Sequence, residues 1–152
     1  MMKQASLEVP RLLERMHRRF LDVLGAELTR AGAHDLNAAQ AFLLLDIGDG
    51  VLSVQELINR GYYVRSNALN NIKKLTETGY FEQSRAERDR RVTRIQLTPK
   101  AQELCTRIVA NQQALADKFT ATDEQPEELA AAMRVLRRIE RSWDDYLHDR
   151  SY

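Results

Sequence analysis

Arginine side chains are concentrated in one short stretch of the sequence. Residues 85–94 contain five of them: Arg85, Arg88, Arg90, Arg91 and Arg94. A guanidinium group keeps its charge and pairs with phosphate oxygens, and the negative potential of a narrow minor groove in DNA attracts it. The density of arginine therefore predicts a contact with nucleic acid. The alternative is a solvated turn in which Glu87 and Asp89 neutralise some of these arginines.

A group of polar side chains lies shortly before this stretch, in residues 65–78. Leu69, Ile72 and Leu75 have helical spacing there and predict one apolar face. Asparagine can pair with adenine N6 and N7, while serine, lysine and arginine contact phosphates. The polar candidates are Arg65, Ser66, Asn67, Asn70, Asn71, Lys73 and Lys74. The alternative is an ordinary amphipathic helix with a solvated outer face.

Short helices and strands are predicted around both groups. An S-x-x-E capping box at residues 53–56 starts one helix, and the next helix covers residues 65–78. Strands are predicted at 80–85 and 92–97, the second from its alternating apolar positions, with most of the arginines at the turn between them. Residues 51–52 suit a short third strand. Helix–turn–helix followed by a basic hairpin is the plan of a winged-helix DNA-binding unit.

Long amphipathic helices flank this unit. They are predicted over residues 7–31, after an N-cap at Asn37, over 99–119, and in a last segment that ends near His148. The first and last helices are too long and too apolar to cover one small unit, so two copies sharing them would bury both apolar stripes. The predicted fold is mainly α with a small β-hairpin wing, a winged helix–turn–helix on a helical dimerisation frame. We assign residues 1–152 to one domain, with dimerisation helices in 7–35 and 101–150 and a DNA-binding lobe in 36–100.

Charge is distributed unevenly along the chain. Residues 53–100 contain ten basic and five acidic residues, whereas 1–52 contain six and seven and 101–152 contain seven and ten. A local basic patch indicates nucleic-acid binding better than the net charge of +1 does. The single cysteine, Cys105, excludes an internal disulfide and suits a reducing cytoplasm. We see neither a signal peptide nor an apolar run long enough to span a membrane.

The segment Gly79–Leu104 resembles the MarR family of bacterial transcription regulators. Asp89, Arg90 and Arg91 are similar to that family's wing motif, and Leu97–Lys100 is similar to the turn before its linker helix. Ala101 stands where the family usually has glycine. The resemblance implies a cytoplasmic homodimer that binds a palindromic operator in double-stranded DNA, usually as a repressor that a small lipophilic or phenolic effector, or cysteine oxidation, releases. It implies DNA contacts from Arg65, Ser66, Asn67, Asn70, Asn71 and Lys74, and from the wing residues Arg88, Arg90 and Arg91.

A switch for such a regulator has two candidate locations. An effector pocket would lie where the dimer helices meet the winged helix, although each candidate also suits a plain core. Its candidates are Met16, His17, Phe20, Phe42, Leu45 and Tyr63. Cys105 is a candidate redox residue, but it lies beside an apolar stripe without a second cysteine, which favours a structural role. The three histidines lack metal-ligand spacing, so neither a metal nor a cofactor is predicted.

Three classes of function compete for this pattern. The first is a sequence-specific DNA-binding regulator, and the second is a winged helix that binds an acidic protein partner. The third is an enzyme, which is not predicted because the sequence has no nucleophile–base arrangement, glycine-rich phosphate loop or metal cluster. Salt dependence separates the first two classes, since phosphate contacts release counterions.

Overall fold

The structure, a computed structural model, describes residues 2–61, 65–86, 89–119 and 125–148. It forms two compact units, residues 1–111 and 112–152. None of the described helices is both long enough and apolar enough to cross a membrane. The elements in chain order are α1 (Met2–Ala31), α2 (Ala38–Ile47), β1 (Leu52–Ser53), α3 (Val54–Gly61), α4 (Arg65–Glu77), β2 (Phe81–Arg85), β3 (Thr93–Leu97), α5 (Pro99–Phe119) and α6 (Gln125–His148).

The predicted order of helices and strands is confirmed, and so is the mainly α fold with a small β wing. The largest difference in bounds is at the start of α1. The helix begins at Met2 rather than at residue 7 and contains Pro10 near its start. Proline removes one backbone donor from the helix. The long apolar stripe that follows keeps the helix continuous through Ala31.

Polar side chains start α2 and α3 as the sequence predicts. Asn37 Oδ1 accepts a hydrogen bond from the Gln40 backbone N–H at 2.9 Å, and Gln40 Oε1 accepts one from the Asn37 N–H at 3.0 Å. At α3 the Ser53 N–H donates to Glu56 Oε2 at 2.7 Å, and the Glu56 N–H donates to Ser53 Oγ at 3.1 Å. The bond from the Ser53 backbone holds the pKa of Glu56 below its usual value. Both capping boxes satisfy donors that a helix N-terminus leaves unpaired.

The three strands form one antiparallel sheet in the order β1-β3-β2. Ile95 lies at its centre, because it pairs with Leu52 of β1 on one side and with Gln83 of β2 on the other. Its side chain is buried. The short third strand predicted at residues 51–52 is therefore present, as Leu52–Ser53.

The winged-helix lobe and parts of the flanking helices share one hydrophobic core. Leu24 and Leu28 of α1 and Ile108 of α5 belong to the same buried cluster as Leu75 of α4 and Ile95 of the sheet. The second half of α1 and the first half of α5 thus support the lobe directly. Glu27, a buried carboxylate of α1, accepts hydrogen bonds from Asn111 of α5 and from Arg30.

One prediction about the hydrophobic core is wrong. The sequence predicts Leu69 on the buried face of α4, but its side chain is 42% exposed. Ala68 is buried instead, together with Ile72 and Leu75. The spacing of 68, 72 and 75 matches a helical period of 3.6 residues, and Leu69 lies at the edge of that stripe.

Tyr80 joins three segments that are far apart in the sequence. Gly79, with φ of +78°, ends α4 and turns the chain so that the Tyr80 side chain is buried. The hydroxyl donates to Asp35 Oδ1 at 2.8 Å, in the loop after α1. Lys100 Nζ, in the first turn of α5, lies 4.0 Å from the ring centroid and 3.7 Å from Asp35 Oδ2. Burial, and then the bond to Asp35, raise the pKa of Tyr80 to about 12.

Tyr80→Phe tests this junction, because it keeps the ring under Lys100 and removes only the hydroxyl. We expect the free energy of unfolding of the variant at pH 8 to be about 1–2 kcal/mol lower than that of the wild type. The hydroxyl makes its full contribution to stability at pH values below 10.0, the pKa of an ordinary tyrosine. This contribution is lost as the pH rises toward 12, where Tyr80 ionises in the folded protein. The difference between the proteins should therefore shrink from pH 8 to pH 11 in urea unfolding. No difference at pH 8 would show that the hydroxyl does not stabilise the fold, and a difference that stays constant up to pH 11 would show that the pKa of Tyr80 is not raised.

Candidate nucleic-acid interface

One side of α4 carries most of the polar residues that the sequence singled out. Ala68, Ile72 and Leu75 bury the opposite side against the core. The helix therefore presents a continuous hydrophilic surface whose groups are asparagine amides, a hydroxyl and ammonium groups. Its exposed members are Ser66, Asn67, Asn70, Lys73 and Lys74.

Two of the predicted residues on α4 already have partners inside the protein. Lys73 lies 3.9 Å from the carboxylate of Glu77, one turn later on the exposed surface. A surface ion pair of this kind is weak and exchanges readily for another partner. Asn71 is half-buried, and its Oδ1 accepts a hydrogen bond from Gln40 Nε2 at 3.3 Å. Asn71 differs from Asn70 because one end of its amide is held from within.

The wing is shaped by backbone contacts of its own polar residues. Arg85 Nη1 donates to the Arg90 carbonyl oxygen at 3.0 Å, and Asp89 Oδ1 accepts from the Arg91 backbone N–H at 3.0 Å. Asp89 thus stiffens the turn through a main-chain bond. The side chains of Arg90 and Arg91 are exposed, and no salt bridge to either occurs among the described residues. Their charge is available to an outside partner.

Three predicted residues fall wholly or partly outside the described residues. Arg65 begins α4, but its side chain is not among those the structure describes. Arg88, like Glu87 beside it, and Tyr63 lie outside the described ranges. The predicted DNA contacts of Arg65 and Arg88 and the pocket role of Tyr63 stay predictions.

Two of the candidate effector-pocket residues contact each other between α1 and α2. Phe20 and Phe42 meet edge to face, with ring centroids 5.6 Å apart and planes at 85°. Both rings, and Leu45, are partly buried against the core. Met16 is 55% exposed and His17 is also exposed, one turn earlier on α1. The structure brings the two aromatic rings together and leaves Met16 and His17 on the surface.

Gln40 is the residue of this region that the sequence analysis missed. It is a buried polar residue in the first turn of α2, and it reaches the middle of α4 through Asn71. The Asn37-x-x-Gln40 spacing is a signal for a capping box and could have identified the helix start. Nothing in the sequence places Asn71 beside Gln40, because the two residues are 31 positions apart.

Two sequence comparisons agree with this geometry. A family model described as "Winged helix DNA-binding domain" matches residues 36–101. The exopolysaccharide II synthesis transcriptional activator ExpG of Rhizobium meliloti is 38% identical over 136 residues, which cover 90% of this chain and 70% of that protein. The family model describes a DNA-binding domain and ExpG is a regulator of transcription, which confirms the prediction that the chain is not an enzyme.

Solved structures share the fold at low sequence identity. FabT of Streptococcus pneumoniae, in complex with DNA, aligns with a TM-score of 0.76 at 18% identity over 93% of this chain and 99% of FabT. A mutant of MarR from Escherichia coli, complexed with operator DNA, aligns with a TM-score of 0.70 at 18% identity over 89% and 95%. Both likenesses concern the fold and extend beyond the winged-helix lobe to most of the chain.

The thiol of Cys105 lies in the buried cluster, away from the polar surface of α4. Burial, and then the negative charge of Asp49, raise the pKa of this thiol to about 11. Among the described residues no cluster of histidine, cysteine and acidic side chains could hold a metal ion. The thiol therefore stays protonated at neutral pH, and a thiol in that form is a poor nucleophile.

We expect the folded protein to react slowly with a disulfide reagent. A pKa of about 11 instead of 9.0 lowers the thiolate fraction at pH 7.5 by roughly 100-fold. A thiolate of higher pKa is also the better nucleophile, which offsets part of this change, so the rate of thionitrobenzoate release at pH 7.5 should rise by about tenfold or more when the protein is unfolded in urea. Equal rates in the two states would show that Cys105 is accessible and ionised, and would return it to the redox candidates.

Proposed function

The chain belongs to the MarR family of winged-helix transcription regulators, and we propose that it binds a palindromic operator in double-stranded DNA as a homodimer. The observation that carries the proposal is the pairing of two exposed surfaces on one lobe. The amides and ammonium groups of α4 form the first surface, and Arg90 and Arg91 of the wing form the second. An α-helix fits the major groove, and an arginine-bearing hairpin fits the adjacent minor groove.

The exposed residues of α4 suit both kinds of DNA contact. Asn70 is exposed and its amide has no hydrogen-bond partner among the residues that the structure describes, so it can meet adenine N6 and N7 with two hydrogen bonds. Ser66, Asn67 and Lys74 surround it with donors that suit phosphate oxygens. We infer that Asn70 contributes to sequence preference and that its neighbours fix the register of the helix.

The wing arginines suit a groove that the helix does not enter. Because Asp89 and Arg85 form main-chain hydrogen bonds, the turn is held without using the charge of Arg90 or Arg91. A stiff turn limits the conformational entropy that is lost when these side chains bind. We infer that both guanidinium groups enter the minor groove beside the site of α4.

Exposed apolar side chains support a homodimer. On α1 they are concentrated before Phe20, and α6 separately exposes large residues up to Leu147, which is 74% exposed. Clusters of this kind mark protein interfaces. A second copy of the chain is the partner that we propose, since a two-fold axis matches the two halves of a palindrome. The exposed residues are Leu7, Leu12 and Met16 on α1, and Leu129, Met133, Val135, Trp143, Tyr146 and Leu147 on α6.

We propose activation of transcription, although the family resemblance favoured repression. The support is the name of the 38% identical relative, an activator of transcription. We also propose a small lipophilic or phenolic effector that binds near Phe20 and Phe42. These rings join α1 to α2, and α2 in turn contacts α4 through Gln40. A regulator of this kind acts at the bacterial chromosome, so we place it in the cytoplasm.

Selection of bound sequences from random duplex DNA tests the proposal. We expect enrichment of a palindrome whose half-sites are about one helical turn apart, because one lobe of each subunit would enter successive major grooves. Sedimentation of the free protein should give about twice the chain mass of 17.5 kDa. Transcription in vitro from a promoter that carries the recovered site then distinguishes activation from repression. A folded protein that enriches no sequence would favour the acidic protein partner instead.

Single substitutions separate the two surfaces. Arg91→Ala should weaken binding to all duplexes and lower the slope of log K against log salt by about 1, because one phosphate or minor-groove contact is lost. Asn70→Ala should instead reduce the preference for the selected site, by about 1–3 kcal/mol, with little effect on random DNA. Arg107→Ala, an exposed arginine of α5, is the matched control and should bind like the wild type. If Asn70→Ala lowers the affinity for all DNA sequences equally, Asn70 contacts the DNA backbone and not a base.

A further inference from the structure

Gln40 is a fully buried polar residue that connects the start of α2 to the middle of α4. Only 2% of it is exposed. Its Oε1 accepts a hydrogen bond from the Asn37 backbone N–H at 3.0 Å, and its Nε2 donates to Asn71 Oδ1 at 3.3 Å. Its own backbone N–H donates to Asn37 Oδ1. The side-chain amide is therefore bonded at both ends.

The chemistry of these partners fixes the orientation of both amides. A backbone N–H can only donate, so the atom of Gln40 that faces Asn37 must be the oxygen. The NH₂ end of Gln40 then faces Asn71, and that end can only donate, so Asn71 must offer Oδ1 to it. The Nδ2 of Asn71 is the end that remains. The capping box at the start of α2 thus decides which end of an amide on α4 is held inside.

Asn71 and its neighbour Asn70 consequently differ in what they can bind. An asparagine that pairs with adenine needs both its oxygen and its NH₂ group. Asn70 is exposed and has both available, whereas Oδ1 of Asn71 is engaged by Gln40. Because the oxygen end of Asn71 faces Gln40, the end that remains for an outside partner is the NH₂ group, which donates to an acceptor such as a phosphate oxygen, guanine O6 or N7, or thymine O4.

We propose that Gln40 is a positioning residue for DNA binding, which orients the Asn71 amide so that Asn71 contacts the operator as a hydrogen-bond donor. This inference rests on the proposed function, because it concerns the same surface of α4. Gln40 itself is buried and does not touch DNA. It acts through the fixed orientation of its neighbour.

Gln40→Glu reverses this orientation with a minimal change of shape. A glutamate oxygen still accepts the Asn37 N–H, since glutamate is a common partner in capping boxes. The second oxygen of the ionised carboxylate can only accept, so at a pH where the glutamate is ionised Asn71 must turn its NH₂ group inward and present Oδ1 to the DNA. Two acceptors would then face each other, and we expect affinity for the selected operator to fall by about tenfold, as for a lost base or phosphate contact.

A double-mutant cycle with Asn71→Ala isolates this effect from the added negative charge. In the Asn71→Ala background, Gln40→Glu still adds the charge, but no amide remains for it to turn. The decrease in affinity should therefore be about tenfold larger when Asn71 is present. Affinities measured by fluorescence anisotropy at fixed salt give this ratio for the four proteins. An equal decrease in both backgrounds would overturn the role of Gln40.

Gln40→Met serves as the second variant if the glutamate variant does not fold. Methionine has a similar volume but forms neither hydrogen bond, so the Asn71 amide is free to turn. Its effect on affinity should also be smaller in the Asn71→Ala background, and an effect of the same size in both would count against the inference. A wild-type protein that prefers no duplex would overturn both the proposed function and this inference. A wild type that selects a site, with no coupling between residues 40 and 71, would overturn only the inference.

Discussion

The buried ring of Tyr80 joins segments of the winged-helix lobe that carry the proposed DNA contacts. Its hydroxyl bonds Asp35 after α1, and Lys100 at the start of α5 lies over its face. Gly79, directly before it, ends α4 in a left-handed conformation. The end of α4, the loop after α1 and the start of α5 are therefore joined through one side chain. A polar tip on a large apolar body suits this position, since it fills the core and also satisfies a carboxylate near the surface.

Some polar side chains of the lobe form hydrogen bonds within the protein, and others have no partner among the described residues. Gln40 caps α2 and bonds Asn71, whereas Asp89 and Arg85 bond the backbone of the wing. Asn70 and Arg91 are exposed. A binding surface needs both kinds, because a contact that is ordered before binding loses less entropy when the partner arrives.

Related folds occur at 18% sequence identity, with TM-scores of 0.70 and 0.76. Such conservation of shape without sequence follows from what the fold requires. Apolar residues at helical spacing, capping residues and a glycine at the end of α4 can be supplied by many sequences. Sequence preference in DNA binding depends on a few exposed side chains instead. Relatives with one fold can therefore read different operators.

The sequence by itself determined the order of elements, the capping box of α3, the N-cap of α2, the basic hairpin and the polar side of α4. Each of these signals depends on residues within about one helical turn or one strand pair of each other, so local physics decides it. Only the tertiary structure showed that Leu69 is exposed, that the Cys105 thiol is buried beside Asp49, and that Gln40 meets Asn71. These facts depend on how distant segments pack. The packing is set by the combined burial of many side chains and not by any one local pattern.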